Sequence, residues 1–427
     1  MQDLAENLHV GWEEEADIGP TKSQRLEKTS NHDMCSMRFD LHWQSELATH
    51  MDCQVMPKLN LWRDIFPPEM ESALLDKPVG HVEEHRFPAG RLIEDYRRSD
   101  CLEVLPKAFN RRHRKGNFIE PRAGRFYPKG FIAGVKDIYP ENLTPFRMAR
   151  VGDKLTVDLN HPLAQHEMTM QAKILDIWQA GEEHGGSCHH IPDLVTLNGP
   201  GMQARWRGEP TDFWSDIPFM RFAPEADEAF YAKARMVDHL DALASKQIET
   251  LYDHLIPRGG EVLDLMSSWK SHLPAQIEPS GVVGLGMNRE ELDANPILTE
   301  RLVHDLNLKP QLPFEDGRFD AVVCTVSVEY LIKPVEVFAE INRVLKPGGR
   351  FIVSFSNRWF PPKVVRVWEG VHEFERMGIV LEYFHLAGGY TNLATWSLRG
   401  LPRPADDKYA NQMAQSDPIY AVWGDKV

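Results

Sequence analysis

Cysteine is scarce and unpaired. Cys35, Cys53, Cys101, Cys188 and Cys324 are odd in number and scattered over 427 residues without paired metal-ligand spacing, so neither a disulfide framework nor a cysteine-based zinc site is expected. Long apolar runs are missing too: none approaches membrane-spanning length, and the start, Met1-Gln2-Asp3-Leu4-Ala5-Glu6-Asn7, has no basic region ahead of an apolar core. A cytoplasmic chain without a membrane partner is expected. Basic charge is also short, with 48 Lys and Arg against 63 Asp and Glu and a net charge of -15. Phosphate contacts need a basic face, so nucleic acid is not expected as a partner. The local run Arg111-Arg112-His113-Arg114-Lys115 reads as a solvated loop. The tract His184-Gly185-Gly186-Ser187-Cys188-His189-His190 has no second cluster at ligand spacing and is likewise read as a loop, with no metal.

What is present is enough apolar material, 42% of the chain, for two globular units, since 427 residues exceed what one core usually supports. The most ordered stretch runs from Gly259 to Gly349. Four apolar runs stand in it: Glu261–Leu265, Gly281–Met287, Arg301–His304 and Phe319–Val326. Continuous runs of this length mean strands covered on both faces, hence a parallel, doubly wound α/β sheet with its ligand beyond the carboxyl ends of the strands. At those ends stand Asp264, Asn288 and Asp305, and Ser327-Val328-Glu329-Tyr330 follows the fourth run. Such groups can accept hydrogen bonds from a ribose and an adenine amino group.

The stretches Val262-Leu263-Asp264-Leu265, Leu312–Leu331 and Glu336–Arg358 resemble the class I S-adenosylmethionine-dependent methyltransferases in their small, methyltransferase 11-like form. The phrase Arg343-Val344-Leu345-Lys346-Pro347-Gly348-Gly349 carries the resemblance most specifically. It implies a Rossmann-like fold over residues 225–427, S-adenosyl-L-methionine as cofactor, and Asp264, Ser267, Ser268, Met287, Asn288, Asp305, Leu306, Ser327 and Tyr231 around it. Tyr330, His385 and Glu329 are the candidate catalytic groups on the acceptor side. In that family a Gly-x-Gly-x-Gly loop follows the first strand; here the positions are Met266, Ser268 and Lys270, and the acid that usually ends the second strand is Gly286. The Leu-Asp-Leu-x-Ser-Ser-Trp-x-Ser-His opening is similar to that of other methyltransferase-like proteins, which implies a variant pocket.

The amino-terminal half patterns differently. Residues 1–35 are acidic and polar and read as a tail. Arg38–Trp43, Lys58–Trp62, His81–Phe87 and Met168–Leu175 alternate as strands do, and Pro67–Leu75 is a short helix entered by proline. Val157-Asp158-Leu159-Asn160-His161-Pro162-Leu163-Ala164 and the strand after it resemble SlyD-like, FKBP-type peptidyl-prolyl isomerases, with residues 105–150 in the place of the inserted flap. The resemblance implies a mainly β, α+β domain over 36–180 with Trp62, Phe66, Phe131, Leu159 and Met170 as pocket candidates, each of which core packing explains as well. The isomerase fold uses a backbone N–H at the start of its short helix; Pro67 and Pro68 have none.

Residues 181–224 read as a linker, followed by a helix from Asp227 to about Leu255; the methyltransferase resemblance implies a helix here that covers the cofactor, with Tyr231, Arg235 and His239 toward the pocket, although His239 reads equally well as a plain helix residue. Near the end, a helix over Lys363–Met377 and strands at Ile379–Tyr383 and Ile419–Trp423 are expected. The expected function is a methyltransferase fused to a SlyD-like isomerase or chaperone domain, its acceptor a protein, peptide or small molecule. The rival is a non-enzymatic chaperone or peptide-binding protein whose second half is a cofactor-free scaffold.

Overall fold

The structure, a computed structural model, describes residues 24–112, 118–181 and 188–427. Its strands are β1 (Asp33–Gln44), β2 (Thr49–Asn60), β3 (Val82–Phe87), β4 (Cys101–Val104), β5 (Phe126–Pro128), β6 (Pro145–Val151), β7 (Leu155–Asp158), β8 (Met168–Gln179), β9 (Glu261–Leu265), β10 (Gly281–Gly286), β11 (Glu300–Val303), β12 (Phe319–Thr325), β13 (Leu345–Phe355), β14 (Tyr390–Arg399) and β15 (Ile419–Lys426). The helices are α1 (Pro68–Glu71), α2 (Ile191–Thr196), α3 (Asp227–Tyr231), α4 (Ala242–Leu255), α5 (Arg289–Ala294), α6 (Pro334–Val344), α7 (Arg366–Glu369) and α8 (Glu373–Ala387).

Strands β11, β10, β9, β12 and β13 are parallel neighbours in that order. Their apolar runs have no period because both faces are covered. Leu263, Leu265, Val283 and Leu285 enter one core, while Val262, Val282, Ala321 and Val323 enter the core on the opposite face. Near its start β13 contains Gly348 at φ 74°, a left-handed backbone that glycine adopts at no steric cost.

The sheet does not stop where the two halves meet. Beyond β13 come β15 and β14, both antiparallel steps, and β14 then pairs in parallel with β2, from Ala394 opposite Thr49 to Arg399 opposite Gln54. Through β2 the sheet continues into β1, β8 and β3, eleven strands in all. Buried polar pairs fix this seam: His50 Nδ1 lies 2.7 Å from Thr395 Oγ1, and Ser397 Oγ donates to Asp52 at 2.9 Å. Asp52 also accepts from Trp43 Nε1 and Gln203. Each half thereby covers an edge the other would leave open. A second sheet, β4-β7-β6-β5, lies within residues 101–158.

Three predicted elements come out differently. The helix expected from Asp227 to Leu255 is two, α3 and α4, with residues 232–241 forming an irregular stretch between them. Asp241, inside the expected helix, instead caps α4 by accepting from the Ala244 N–H at 2.9 Å. The helix expected over Lys363–Met377 is broken at Gly370 into α7 and α8. Ile379–Tyr383 is not a strand but the middle of α8, where every residue from Phe374 to Phe384 is buried. A helix covered on all sides has an unbroken apolar run, the same signature as a buried strand.

Candidate active site

Beyond the carboxyl ends of β9, β10, β11 and β12 opens a cleft of about 1190 Å³ including its mouth. All nine residues expected around the cofactor line it: Tyr231, Asp264, Ser267, Ser268, Met287, Asn288, Asp305, Leu306 and Ser327. The topology explains the convergence, since every parallel strand ends on the same side of the sheet and hands its next residues to that side.

The loop after β9 replaces glycines by a hydrogen-bonded side-chain frame. Asp264 is buried and accepts from the hydroxyls of Ser267 at 2.5 Å and Ser271 at 2.6 Å. Burial outweighs these bonds and pushes its carboxyl up to about 7. Met266 sits at φ 57° and Val326, just past β12, at φ 43°. Left-handed backbone on such side chains costs energy, and here two such positions flank the cleft at the ends of adjacent strands. The Ser267 N–H donates to the Leu285 carbonyl at 2.8 Å, which holds the loop against β10. A Cβ on Gly286 would therefore stand 2.2 Å from the Ser267 carbonyl oxygen. The missing acid at this position is a consequence of the loop: no side chain fits there.

Other polar groups take up the space. Asn288 caps α5 by accepting from the Glu291 N–H at 3.1 Å, and its amide donates to the carbonyls of Tyr231 and Ala232. Glu291 turns its carboxylate into the cleft, accepting from Ser268 Oγ and the Arg235 N–H, both at 2.7 Å. Sequence reasoning missed Glu291, although Asn288-x-x-Glu291 has the spacing of a capping box. Asp305 accepts the Asn307 and Leu308 N–H groups on one oxygen. His239, His272, Arg235 and Phe360 also line the cleft. Burial lowers both imidazoles, His272 to about 4. Both are neutral near pH 7.

The three candidate catalytic residues separate. Tyr330 lines the cleft, stacks on Phe360 with centroids 5.9 Å apart, and accepts the Phe360 N–H at 2.8 Å. Burial raises its hydroxyl well above the usual tyrosine value, so it stays protonated. Glu329 does not line the cleft: it is buried beneath it, 1% exposed, because the single turn Val328–Tyr330 points successive side chains in different directions. His385 is exposed near the end of α8, also off the cleft, since the helix that replaced the expected strand carries it elsewhere. Among the described residues no cluster of His, Cys, Asp or Glu has metal-binding geometry; His184–Ser187 and His113–Lys115 lie outside them. The pocket candidates of the first half also divide, Phe66 and Met170 entering one core and Phe131 and Leu159 packing on another.

Residues 282–353 match the methyltransferase domain family known as Methyltransf_11. This match lies within the carboxyl-terminal half. Among curated relatives, the chain is 31% identical over 117 residues to the ubiquinone/menaquinone biosynthesis C-methyltransferase UbiE of Burkholderia mallei, covering 25% of this chain and 47% of that protein. It is 24% identical over 98 residues to a malonyl-[acyl-carrier protein] O-methyltransferase of Marinomonas, covering 20% of this chain and 36% of that one. The chain thus spans less than half the length of these relatives. A solved structure from Thermotoga maritima, described as an S-adenosylmethionine-dependent methyltransferase and possible histamine N-methyltransferase, aligns over 44% of this chain and 90% of its own at 14% identity and a TM-score of 0.33. The cleft's donor set suits S-adenosylmethionine, the cofactor in the Thermotoga structure's description: a carboxylate at Asp305 with one oxygen that no described residue engages, a second carboxylate at Glu291, and small hydroxyls along the loop.

Proposed function

We propose that this chain is an S-adenosylmethionine-dependent methyltransferase whose catalytic unit is residues 225–427 and whose cofactor lies in the β9–β12 cleft. The observation that carries the reading is the meeting of nine residues in one cleft, five of which, Met287, Asn288, Asp305, Leu306 and Ser327, lie within the family match. When bound, the cofactor supplies an electrophilic methyl group. Asp305 and Leu306 would take the adenine end, Glu291 and Asn288 the ribose, and the Ser267-Ser268 loop with Lys270 the methionine end. Tyr330 and Phe360 form an aromatic wall on the acceptor side. His239, neutral and in the cleft, is the group suited to accept a proton from an acceptor N–H or O–H. Glu329 and His385, which the cleft does not include, have no part in this scheme.

The residues 36–180 are proposed as a SlyD-like unit in a binding or scaffolding role. The antiparallel β1, β2, β8 and β3 with the short α1, and the four-stranded insert at 101–158, support that resemblance. Prolyl isomerisation is less well supported: α1 opens with Pro67 as its cap and Pro68 as its first residue, leaving Glu69 to offer the first N–H. The relatives are named for acceptors as different as a carrier-protein acyl group and a quinone precursor, so protein, peptide and small molecule all stay within the proposal. A cytoplasmic location is part of it; among the described residues no helix is long and apolar enough to cross a membrane. Isothermal titration with S-adenosylmethionine and with its demethylated product tests the reading. Saturable heat is expected for both. Folded protein that gives none at millimolar ligand overturns it in favour of the cofactor-free scaffold.

A further inference from the structure

A second cavity lies far from this chemistry in sequence, between the small sheet and the segment 201–207. Phe126 on β5, Arg147 on β6 and Asp158 on β7 are directly opposite one another across three neighbouring strands. Facing residues of an antiparallel ladder share a face, so these three form one transverse row. Phe146 and Met148, alternating with Arg147, point the other way into the apolar core of this sheet. The row is roofed by the chain at Gly201–Arg207 and closed at one end by Asn160, His161 and His166. About 460 Å³ of space, its open mouth included, lies there, and a neighbouring cavity against α8 shares His166 and Arg205 with it.

Arg147 decides what the space suits. It is 6% exposed, stacks its guanidinium 4.3 Å from the Phe126 ring centre, and donates once, to the Gly201 carbonyl at 3.2 Å. Among the described residues no carboxylate stands within ion-pair distance of it. The two acids whose charges act on it have their carboxylates hydrogen-bonded elsewhere: Asp158 accepts from Trp206 Nε1 and Asn160, and Glu375 accepts the main-chain N–H groups of Phe126 and His372. A buried cation without a paired anion is costly. Arg207, exposed at the rim, adds a second cation, held over the Tyr96 and Trp206 rings at 5.1 and 5.0 Å. The cavity's charged lining is three arginines against one aspartate, in a chain whose net charge is -15; the third, Arg205, is already paired with Glu382.

We propose that this cavity binds an organic oxyanion, a carboxylate or phosphate carried on a flat aromatic body, with Arg147 and Arg207 on the anion and Tyr96, Phe126 and Trp206 against the ring. The site is independent of the methyl-transfer cleft, and its failure would leave that reading untouched. Titration of the full chain with benzoate, phenyl phosphate, inorganic phosphate and benzamide, followed by calorimetry and by the Trp206 indole N–H resonance, tests it. Benzoate or phenyl phosphate is expected to saturate, and which of the two is tighter identifies the source as carboxylate or phosphate. Benzamide, equal in shape but uncharged, is expected to bind at least about tenfold more weakly. Arg207→Ala, at an exposed position, is expected to weaken the anion by about tenfold while the protein stays folded, and Arg147→Met to abolish it. No saturation by any aromatic anion at 10 mM, equal binding of benzamide, or unchanged binding by Arg207→Ala each overturns the proposal.

Discussion

Replacing Glu329 by glutamine should stabilise this protein, and the gain should depend on pH in a defined direction. Glu329 is 1% exposed, and among the described residues neither carboxyl oxygen has a hydrogen-bond partner beyond its own main chain. Burial pushes its carboxyl up from 4.5 to about 8, only partly opposed by its own backbone N–H and by Arg376. A folded value above the unfolded one means that folding takes up a proton between them. Stability from this group is therefore greatest below about pH 4.5 and is lost as pH rises toward 8. Each pH unit of that interval corresponds to about 1.4 kcal/mol, giving an upper figure of the order of 5 kcal/mol and, after relaxation of the site, roughly 2–4 kcal/mol. Glu329→Gln removes the titration and keeps the shape. Urea unfolding of both proteins at about pH 5 and pH 8 isolates the effect, because Asp264 and the other titrating groups are common to both and cancel. The stability difference should grow in favour of glutamine as pH rises. A difference that is flat between those pH values would refute the reasoning and mean that the carboxyl is hydrated or paired.

Further outcomes follow from the cleft. Asp305→Ala should weaken S-adenosylmethionine by roughly ten- to a hundredfold, the worth of one charge-assisted hydrogen bond. Its melting temperature should fall slightly, since the same carboxylate holds the Asn307 and Leu308 N–H groups; unchanged affinity in a titration would reassign this strand end. Gly286→Ala must move the Ser267 carbonyl, 2.2 Å from the new Cβ, and should cost a few kcal/mol in denaturant unfolding as well as cofactor affinity; wild-type values for both would show the loop to be pliant. Met266→Gly relieves a left-handed methionine and should stabilise by about 1 kcal/mol. The triple change that also replaces Ser268 and Lys270 should bind cofactor no better than the parent, because it removes the Ser268 bond to Glu291; a clear gain in affinity would show the present loop to be an obstruction.

The sequence alone was enough for the parallel half-sheet and for nine of the residues that line the cleft at its carboxyl end. Runs such as Gly281–Gly286 identify two-sided burial without any long-range information, and a residue at the end of a parallel strand has only one place to go. Three matters needed the folded chain. Ile379–Tyr383 could be a strand or a helix until both of its faces were seen to be covered. The loss of the acid at Gly286 read as a departure from a family pattern, whereas the Ser267 carbonyl 2.2 Å from its absent Cβ makes it a steric requirement. Glu329 and His385 are adjacent to cleft residues or expected strands in sequence, yet a one-residue step around a tight turn or a change from strand to helix turns a side chain away from its neighbour's direction. Least legible of all was the pairing of β14 with β2 across 345 residues of chain at His50 and Thr395. Edge-strand pairing is specified by complementary main-chain edges and a few buried polar partners, and neither leaves a local pattern in the sequence.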